Sequence, residues 1–269
     1  MRAVSVLDEI LQAKRNEVTM LHRPAVRDLL RSQALDAPPT RDFAAALRRD
    51  PLLAVIAEIK RRSPSKGELA PDLDVPVTAR AYEAGGAACI SVLTDRPYFG
   101  GSIDDLYEVR HAVAIPVLRK DFTVDEIQVY ETRALGADAI LLIAAALPDD
   151  AHLADLHSLA TEIGLAVLVE THDDSEIERA LRAGARIIGV NARDLGTFDE
   201  DLGLGERLAK LIPAEVIAIA ESAIRSTGDA ARMAGSGFDA VLVGEMLVRS
   251  SEPTSEVRAM AEITRVARA

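Results

Sequence analysis

The sequence predicts a (β/α)8 TIM barrel with an N-terminal helical extension, on three observations. Eight short aliphatic runs alternate with amphipathic stretches. One joint, a glycine followed by a tight turn into a new apolar run, recurs at four places. Polar or catalytically plausible residues close all but the fourth run, and the steps from Lys60 to Gly244 average about 26 residues, close to one βα unit of a barrel of ~250 residues.

The runs are Ala54–Ile59, Ala88–Leu93, Pro116–Leu118, Ala139–Ile143, Ala166–Val169, Ile187–Val190, Val216–Ala220 and Ala240–Val243. Their near-continuous apolarity suits parallel strands covered on both faces. Between them Pro76–Ala84, Val124–Leu135, Asp174–Ala183 and Thr227–Ala234 read as helices. The glycine joint lies at 84–90, 135–140, 183–188 and 236–241, where a glycine of positive φ can end a helix. That joint also occurs in open doubly wound sheets. The strand-end spacing favours closure, because a barrel gathers every strand end at one mouth whereas an open sheet binds only at a switch point. The first run also lacks the glycine fingerprint of a dinucleotide-binding turn.

Residues 1–48 precede the repeat and form the extension, packed on a catalytic barrel of 49–269 in one structural domain. Ser5–Leu21 reads as an amphipathic helix capped by Ser5, with Leu7, Ile10, Leu11, Val18 and Leu21 as its apolar positions. Pro38-Pro39 breaks the chain, and Phe43–Leu47 is a second short helix. The extension has two possible uses, a plug over one end of the barrel or a further wall of its mouth.

Composition narrows the function. Hydrophobic residues at 49% and charged residues at 28% exclude disorder. With 3% aromatics and no Trp the core is aliphatic. A net charge of -12 argues against a nucleic-acid footprint, although a small cationic site can hold an anion in an acidic protein. The single cysteine, Cys89, allows no internal disulfide or Cys-rich zinc site and reads as a buried small hydrophobe. The longest apolar run, Ala139 to Leu147, is nine residues long, against about 20 for a bilayer span. The first residues lack a signal-peptide core. These features lead us to expect a cytoplasmic protein without membrane attachment.

The chemistry-bearing residues sit at strand ends. Glu58 and Lys60, two apart, share one side of the first strand; they are either a structural ion pair or an acid–base pair facing the mouth. The loop after them, with Ser63 and Pro64, suits a mobile lid. Lys120 closes the third strand as a general acid, a Schiff-base nucleophile or an anion anchor, while Arg119 faces the helices by alternation. Glu170 is a candidate general base whose pKa burial raises and lysines lower. Asn191 and Arg193 share a side and suit a substrate hydroxyl and an anion. Glu221-Ser222 and Gly244-Glu245 end the last two strands, where this fold often binds phosphate. Among the histidines, His152 and His157 suit a surface, and His172 stands two residues from Glu170 without further ligands, so no metal site is expected.

These segments resemble the indole-3-glycerol-phosphate synthase family of tryptophan biosynthesis. The matching stretches are Ala57-Glu58-Ile59-Lys60-Arg61-Arg62-Ser63-Pro64-Ser65-Lys66-Gly67, Ser91-Val92-Leu93-Thr94-Asp95 with Phe99-Gly100-Gly101, Leu118-Arg119-Lys120-Asp121-Phe122, Val169-Glu170, Gly189-Val190-Asn191-Ala192-Arg193-Asp194-Leu195, Ala220-Glu221-Ser222 and Leu242-Val243-Gly244. The likeness runs from about residue 5 to the end. It implies a lyase that closes 1-(2-carboxyphenylamino)-1-deoxyribulose 5-phosphate to indole-3-glycerol phosphate, losing carbon dioxide and water without a cofactor. It implies Lys120, Lys60 and Glu170 as the acid–base set, with Glu58, Asn191 and Glu221 tuning charge and position. Arg193, Ser222 and the Gly244 amide, beside Glu245, would hold phosphate. Phe99, Phe122, Leu141 and Leu195 would form an apolar pocket for the aromatic ring. The partner is a small anion carrying phosphate and carboxylate, with no nucleic acid, membrane or obligate protein partner. Ala223, where many relatives have Gly, and Glu245, where Ser is frequent, depart from the pattern. A lysine aldolase and a non-catalytic phosphate-binding barrel are the competing readings.

Overall fold

The computed structural model describes residues 5–193 and 200–268. Its first helices are α1 (Val6–Leu21), α2 (Pro24–Asp36) and α3 (Phe43–Leu47). Eight parallel strands then close into a barrel: β1 (Ala54–Ile59), β2 (Cys89–Leu93), β3 (Val117–Lys120), β4 (Ala139–Ile143), β5 (Ala166–Thr171), β6 (Ile187–Asn191), β7 (Ile217–Glu221) and β8 (Ala240–Val243). Each strand pairs with the next, and β8 returns to β1 with Ala54 opposite Ala240. The surrounding helices are α4 (Val75–Gly85), α5 (Arg96–Phe99), α6 (Ile103–Ala112), α7 (Glu126–Ala134), α8 (Asp150–Glu162), α9 (Asp174–Arg182), α10 (Leu202–Ala209), α11 (Thr227–Gly235), α12 (Glu245–Arg249) and α13 (Pro253–Ala261).

The four glycine joints turn as expected. Gly86, Gly136, Gly184 and Gly237 have φ of 95°, 80°, 90° and 92°, the left-handed region that costs glycine least. Strands β3 and β5 run past their apolar cores to Lys120 and Thr171, because Lys120 still lies opposite Leu93 and Glu170 opposite Ile143 in the ladder.

Alternation along the strands makes two cores. Ala54, Ile56, Leu118, Leu141, Leu168, Ile219 and Leu242 fill the barrel interior. Val55, Ala57, Ile90, Val92, Val117, Val169 and Val241 pack outward on the helices. Arg119 follows the outward set, as alternation demands, and its guanidinium bonds Thr132 and Glu131 of α7.

The extension both plugs and walls the barrel. Phe43 and Leu47 of α3, each 1% exposed, join the interior cluster. The preceding segment crosses the strand starts, where the Arg41 amide donates to Asp138 at 2.7 Å and the Thr40 hydroxyl to the Gly164 carbonyl at 2.8 Å. Helix α1 goes to the other end, where Leu7 and Ile10 line the mouth. Ser5 caps α1 in a reciprocal box with Asp8.

Helix α2 corrects the expectation of only two helices in this segment. It begins with Pro24 after an N-cap without a side-chain bond, and it buries only Ala34 fully. At its outer edge Arg31 bonds Glu126 of α7 at 2.7 Å and stacks over Tyr130 at 5.2 Å. Val26, Leu30 and Ala34, four residues apart, form the less exposed face of α2, a short apolar stripe outside the two expected helices.

Lys14 of α1 is 2% exposed. Its ammonium meets Asp121 at 2.9 Å, Asp95 at 3.3 Å and Glu17 at 2.9 Å. Burial alone would lower its pKa, but Asp121, Glu17 and Asp95 hold it above the usual lysine value. Asp121 directly follows Lys120, so this bond ties the extension to the end of β3. Removing one partner of a buried pair strands the other's charge. Lys14→Met is expected to cost about 3 kcal/mol of unfolding free energy, the low end because Arg119 still holds Asp121 at 3.2 Å. Denaturant unfolding measures it, and a change below about 1 kcal/mol would mean that the cluster does not hold the extension.

Candidate active site

The parity that fills the barrel with aliphatic side chains also fills its mouth with charge. Ala54 and Ile56 are followed on the same side by Glu58 and Lys60; Leu118 by Lys120; Leu168 by Glu170; Ile187 and Gly189 by Asn191; Ile219 by Glu221; and Leu242 by Gly244. All of these charged and polar residues line one cavity of about 460 Å³ at the C-terminal ends of the strands.

At its centre the Lys120 ammonium donates to Glu170 Oε2 at 2.9 Å and to Glu221 Oε2 at 2.6 Å. Asn191 Nδ2 donates to Glu170 Oε1 at 2.9 Å. Lys60 and Glu58 pair at 2.8 Å. Side-chain exposure is only 12% for Lys120, 5% for Glu170 and 2% for Glu221, so water screens these charges weakly.

Burial opposes every ionised form here, and the neighbours decide the outcome. For Glu170 the Lys120 ammonium, then His172 and the Asn191 bond, overcome burial and hold the carboxyl down at about 2. For Lys120 the carboxylates of Glu170, Glu221 and Glu58 overcome burial and raise the ammonium above its usual value, which keeps it protonated. Glu221 goes the other way: burial, with the like charges of Glu170 and Glu58, outweighs Lys120 and pushes it up to about 7.

The apolar wall of the cavity is aliphatic with two aromatics. Phe99 and Phe122 stand 6.1 Å apart with Leu141 also in the wall. The α1 residues Val6, Leu7 and Ile10 and the strand residues Leu93 and Ile143 extend it beyond the sequence expectation. Leu195 lies outside the described residues.

Ser63, Pro64, Arg193, Ser222, Gly244 and Glu245 line the remaining rim. Ser63 turns the first loop by accepting the Lys66 amide at 3.2 Å. Arg193 donates to Ser65 at 2.8 Å and pairs with Glu200, which also holds Arg225. Glu245 pairs with Arg249 one helical turn on, at 3.4 Å. Ser222 and Ala223 hold left-handed backbone, φ 65° and 60°, at a cost of about 1 kcal/mol for each non-glycine residue. Lys66, Arg225 and Arg249 also line the cavity; each lies within or beside a segment that marks the mouth, but no spacing rule singled them out. Among the described residues no group of three or more His, Cys, Asp and Glu side chains is arranged to hold a metal ion. Nor is any described helix long and apolar enough to cross a membrane.

Fold and site together define a (β/α)8-barrel with a buried acid–base cluster at its mouth. The indole-3-glycerol phosphate synthase family model matches residues 7–260. The indole-3-glycerol phosphate synthase of Mycobacterium avium strain 104 is 50% identical over 257 residues, 96% of this chain and 94% of that protein. Indole-3-glycerol phosphate synthase 1 of Streptomyces coelicolor is 50% identical over 254 residues, 94% of each. The solved 3-hexulose-6-phosphate synthase from Salmonella typhimurium superposes with a TM-score of 0.64 at 16% identity, over 78% of this chain and 98% of that one, a likeness of fold alone. The chain belongs to the indole-3-glycerol phosphate synthase family, the carboxy-lyases of tryptophan biosynthesis.

Glycine makes room for the cluster. A Cβ on Gly189 would lie 1.9 Å from Glu221 Oε1, and one on Gly244 would lie 2.5 Å from Glu58 Oε1. Gly189 was not among the sequence candidates, because its neighbour comes from a strand some thirty residues away. Gly189→Ala is expected to displace Glu221 from Lys120 and to lower kcat about 10²-fold. Steady-state kinetics on a variant that keeps its circular dichroism spectrum measures the effect; an unchanged kcat would show that Glu221 has room to shift.

Proposed function

We propose that this chain closes 1-(2-carboxyphenylamino)-1-deoxyribulose 5-phosphate to indole-3-glycerol phosphate with Lys120, Lys60 and Glu170 as its acid–base set. The observation that carries the reading is the meeting of Lys120, Glu170 and Glu221, fifty to a hundred residues apart in the chain, within 2.9 Å at one cavity that Lys60 and Glu58 also face.

The substrate brings a carboxylate and a phosphate into a mouth that offers Lys60, Lys66, Lys120, Arg193, Arg225 and Arg249. Phe99, Phe122 and Leu141 hold its aromatic ring. Lys60 holds the carboxylate beside the reacting carbon. The ring carbon attacks the ketone while the Lys120 ammonium gives its oxygen a proton. Carbon dioxide leaves as its bonding pair restores the aromatic ring. The new hydroxyl then takes a second proton and departs as water, and Glu170 removes the proton from the carbon next to nitrogen. A negative carboxylate becomes neutral carbon dioxide, so each turnover draws one proton from solvent. The 2.9 Å contact between Glu170 and Lys120 returns a proton from base to acid. Glu58, Asn191 and Glu221 position the amines and Glu170, and Arg193, Ser222 and the Gly244 amide beside Glu245 bind phosphate.

The reading needs no cofactor, nucleic acid, membrane or obligate protein partner, and it places the reaction in the cytoplasm. It treats 1–48 as an extension working as one unit with the barrel of 49–269, supported by the buried Lys14–Asp121 bond.

Mixing the purified chain with the carboxyphenylamino-deoxyribulose phosphate, without added metal or cofactor, is expected to raise indole fluorescence; a flat signal overturns the proposal. Lys120→Ala is expected to lower kcat by about 10²-fold or more with a smaller change in KM. An effect confined to KM would make Lys120 an anchor instead of an acid. Glu170→Gln is expected to slow turnover about 10²-fold with affinity nearly intact, and near-normal turnover would remove Glu170 from the mechanism.

A further inference from the structure

His172 stands behind Glu170 and outside the cavity-lining set. It follows the end of β5, two residues on from Glu170. Its Nε2 lies 3.5 Å from Glu170 Oε1. Its Nδ1 lies 3.1 Å from Glu176 Oε2, in the first turn of α9, and its backbone amide donates to that same oxygen at 2.8 Å. The ring is therefore gripped by Glu176 and aimed at Glu170. Nε2 is buried and makes no hydrogen bond among the described residues.

The two protonation states fit this setting differently. In a neutral ring Nδ1 would carry the proton to Glu176, and Nε2 would turn a lone pair toward a carboxylate oxygen. That contact is repulsive and leaves a buried acceptor unsatisfied. In an imidazolium both nitrogens carry protons and both face carboxylates. We propose that His172 is a further positioning residue for the reaction, an imidazolium clamped between Glu176 and Glu170 that keeps Glu170 ionised and aligned with Lys120 and Asn191. The inference rests on the role proposed above for Glu170.

The charges around the ring agree. Burial pushes the His172 pKa down, but the Glu176 bond and the charges of Glu170, Glu176 and Glu221 raise it above the usual histidine value. These groups face the ring from β5, α9 and β7, and Asp173 in the intervening turn is itself stabilised by the His172 charge. No cation of another element faces the ring among those that shift it. The imidazolium is present below this raised pKa and is lost as pH rises through it. Attraction to Glu170 then becomes repulsion, and kcat falls on the alkaline side.

Glu221, pushed up to about 7, is a second titrating group beside Lys120, so an alkaline limb in the unaltered enzyme decides nothing alone. The test compares kcat across pH for the unaltered enzyme, His172→Gln and Glu176→Gln. His172→Gln is expected to lose the histidine limb and to run about tenfold slower, with KM within about twofold. Glu176→Gln removes one carboxylate from the ring and is expected to move the limb about one pH unit lower. A role in packing alone would leave the limb in place. Superimposable limbs in the unaltered enzyme and Glu176→Gln, or an unchanged kcat in His172→Gln, overturn the inference. If His172→Gln does not fold, Glu176→Gln still decides. If the unaltered enzyme turns over no substrate, the proposed reaction has failed. NMR titration of the imidazole then decides this point separately, with a pKa above the usual value expected, and a lower one in Glu176→Gln.

Discussion

The contact of the Lys120 ammonium with two carboxylates, in a mouth that water barely reaches, is the interaction on which the remaining site geometry rests. An isolated amine at that depth would lose its proton, and an isolated carboxyl would gain one. Together Lys120 and Glu170 stay charged, the state that the proposed acid and base require. Glu221 carries the cost. It shares Lys120 with Glu170, and its own pKa rises to about 7. Crowding three carboxylates, Glu58, Glu170 and Glu221, around two lysines leaves one negative charge in excess, and the fold answers it from behind the site with His172.

Such a cluster holds its shape only if its supports are rigid. Each charged group stands on a strand whose preceding inward residues are packed in the barrel core, so a strand that shifted in register would have to pull its aliphatic side chains out of it. Lys120 is fixed further by the next residue, Asp121, which takes bonds from Lys14, Thr94 and Arg119. Those three come from α1, from the loop after β2 and from β3 itself. Asp121 is held down at about 2 because Arg119 and Lys14 outweigh its burial. The extension thus contributes an apolar wall on one face and, through Lys14, a clamp on the strand that carries the central amine.

What the sequence made legible follows from periodicity. Strand alternation and the spacing of strand ends were enough to place Lys60, Lys120, Glu170, Asn191 and Glu221 around one mouth, since closure of a parallel barrel leaves strand ends nowhere else to go. Family likeness added roles and substrate to those positions. Features that depend on one tertiary contact stayed hidden. Lys14 reads as an ordinary helix lysine until Asp121 is known to face it. Gly189 looks like any strand glycine until Glu221 occupies the space its missing Cβ leaves. The balance between burial and lysine charge at Glu170 depends on distances, and at 2.9 Å the lysine wins.

Net charge is a poor guide to what such a mouth will bind. The chain carries -12 overall, yet the proposed ligand has two anionic ends. The rim resolves the contradiction by local pairing. Arg193 and Arg225 both meet Glu200, and Arg249 meets Glu245, so each of these three cations has a carboxylate partner. Arg225 and Glu245, at 71% and 36% exposure, can exchange these partners or turn into water at little cost. Arg193 is different, at 19% exposure. It also reaches Ser65 of the first loop, so a ligand that recruits it acts on the loop in the same motion. Glu245 adds little net negative charge to the rim for the same reason: Arg249 faces it at 3.4 Å.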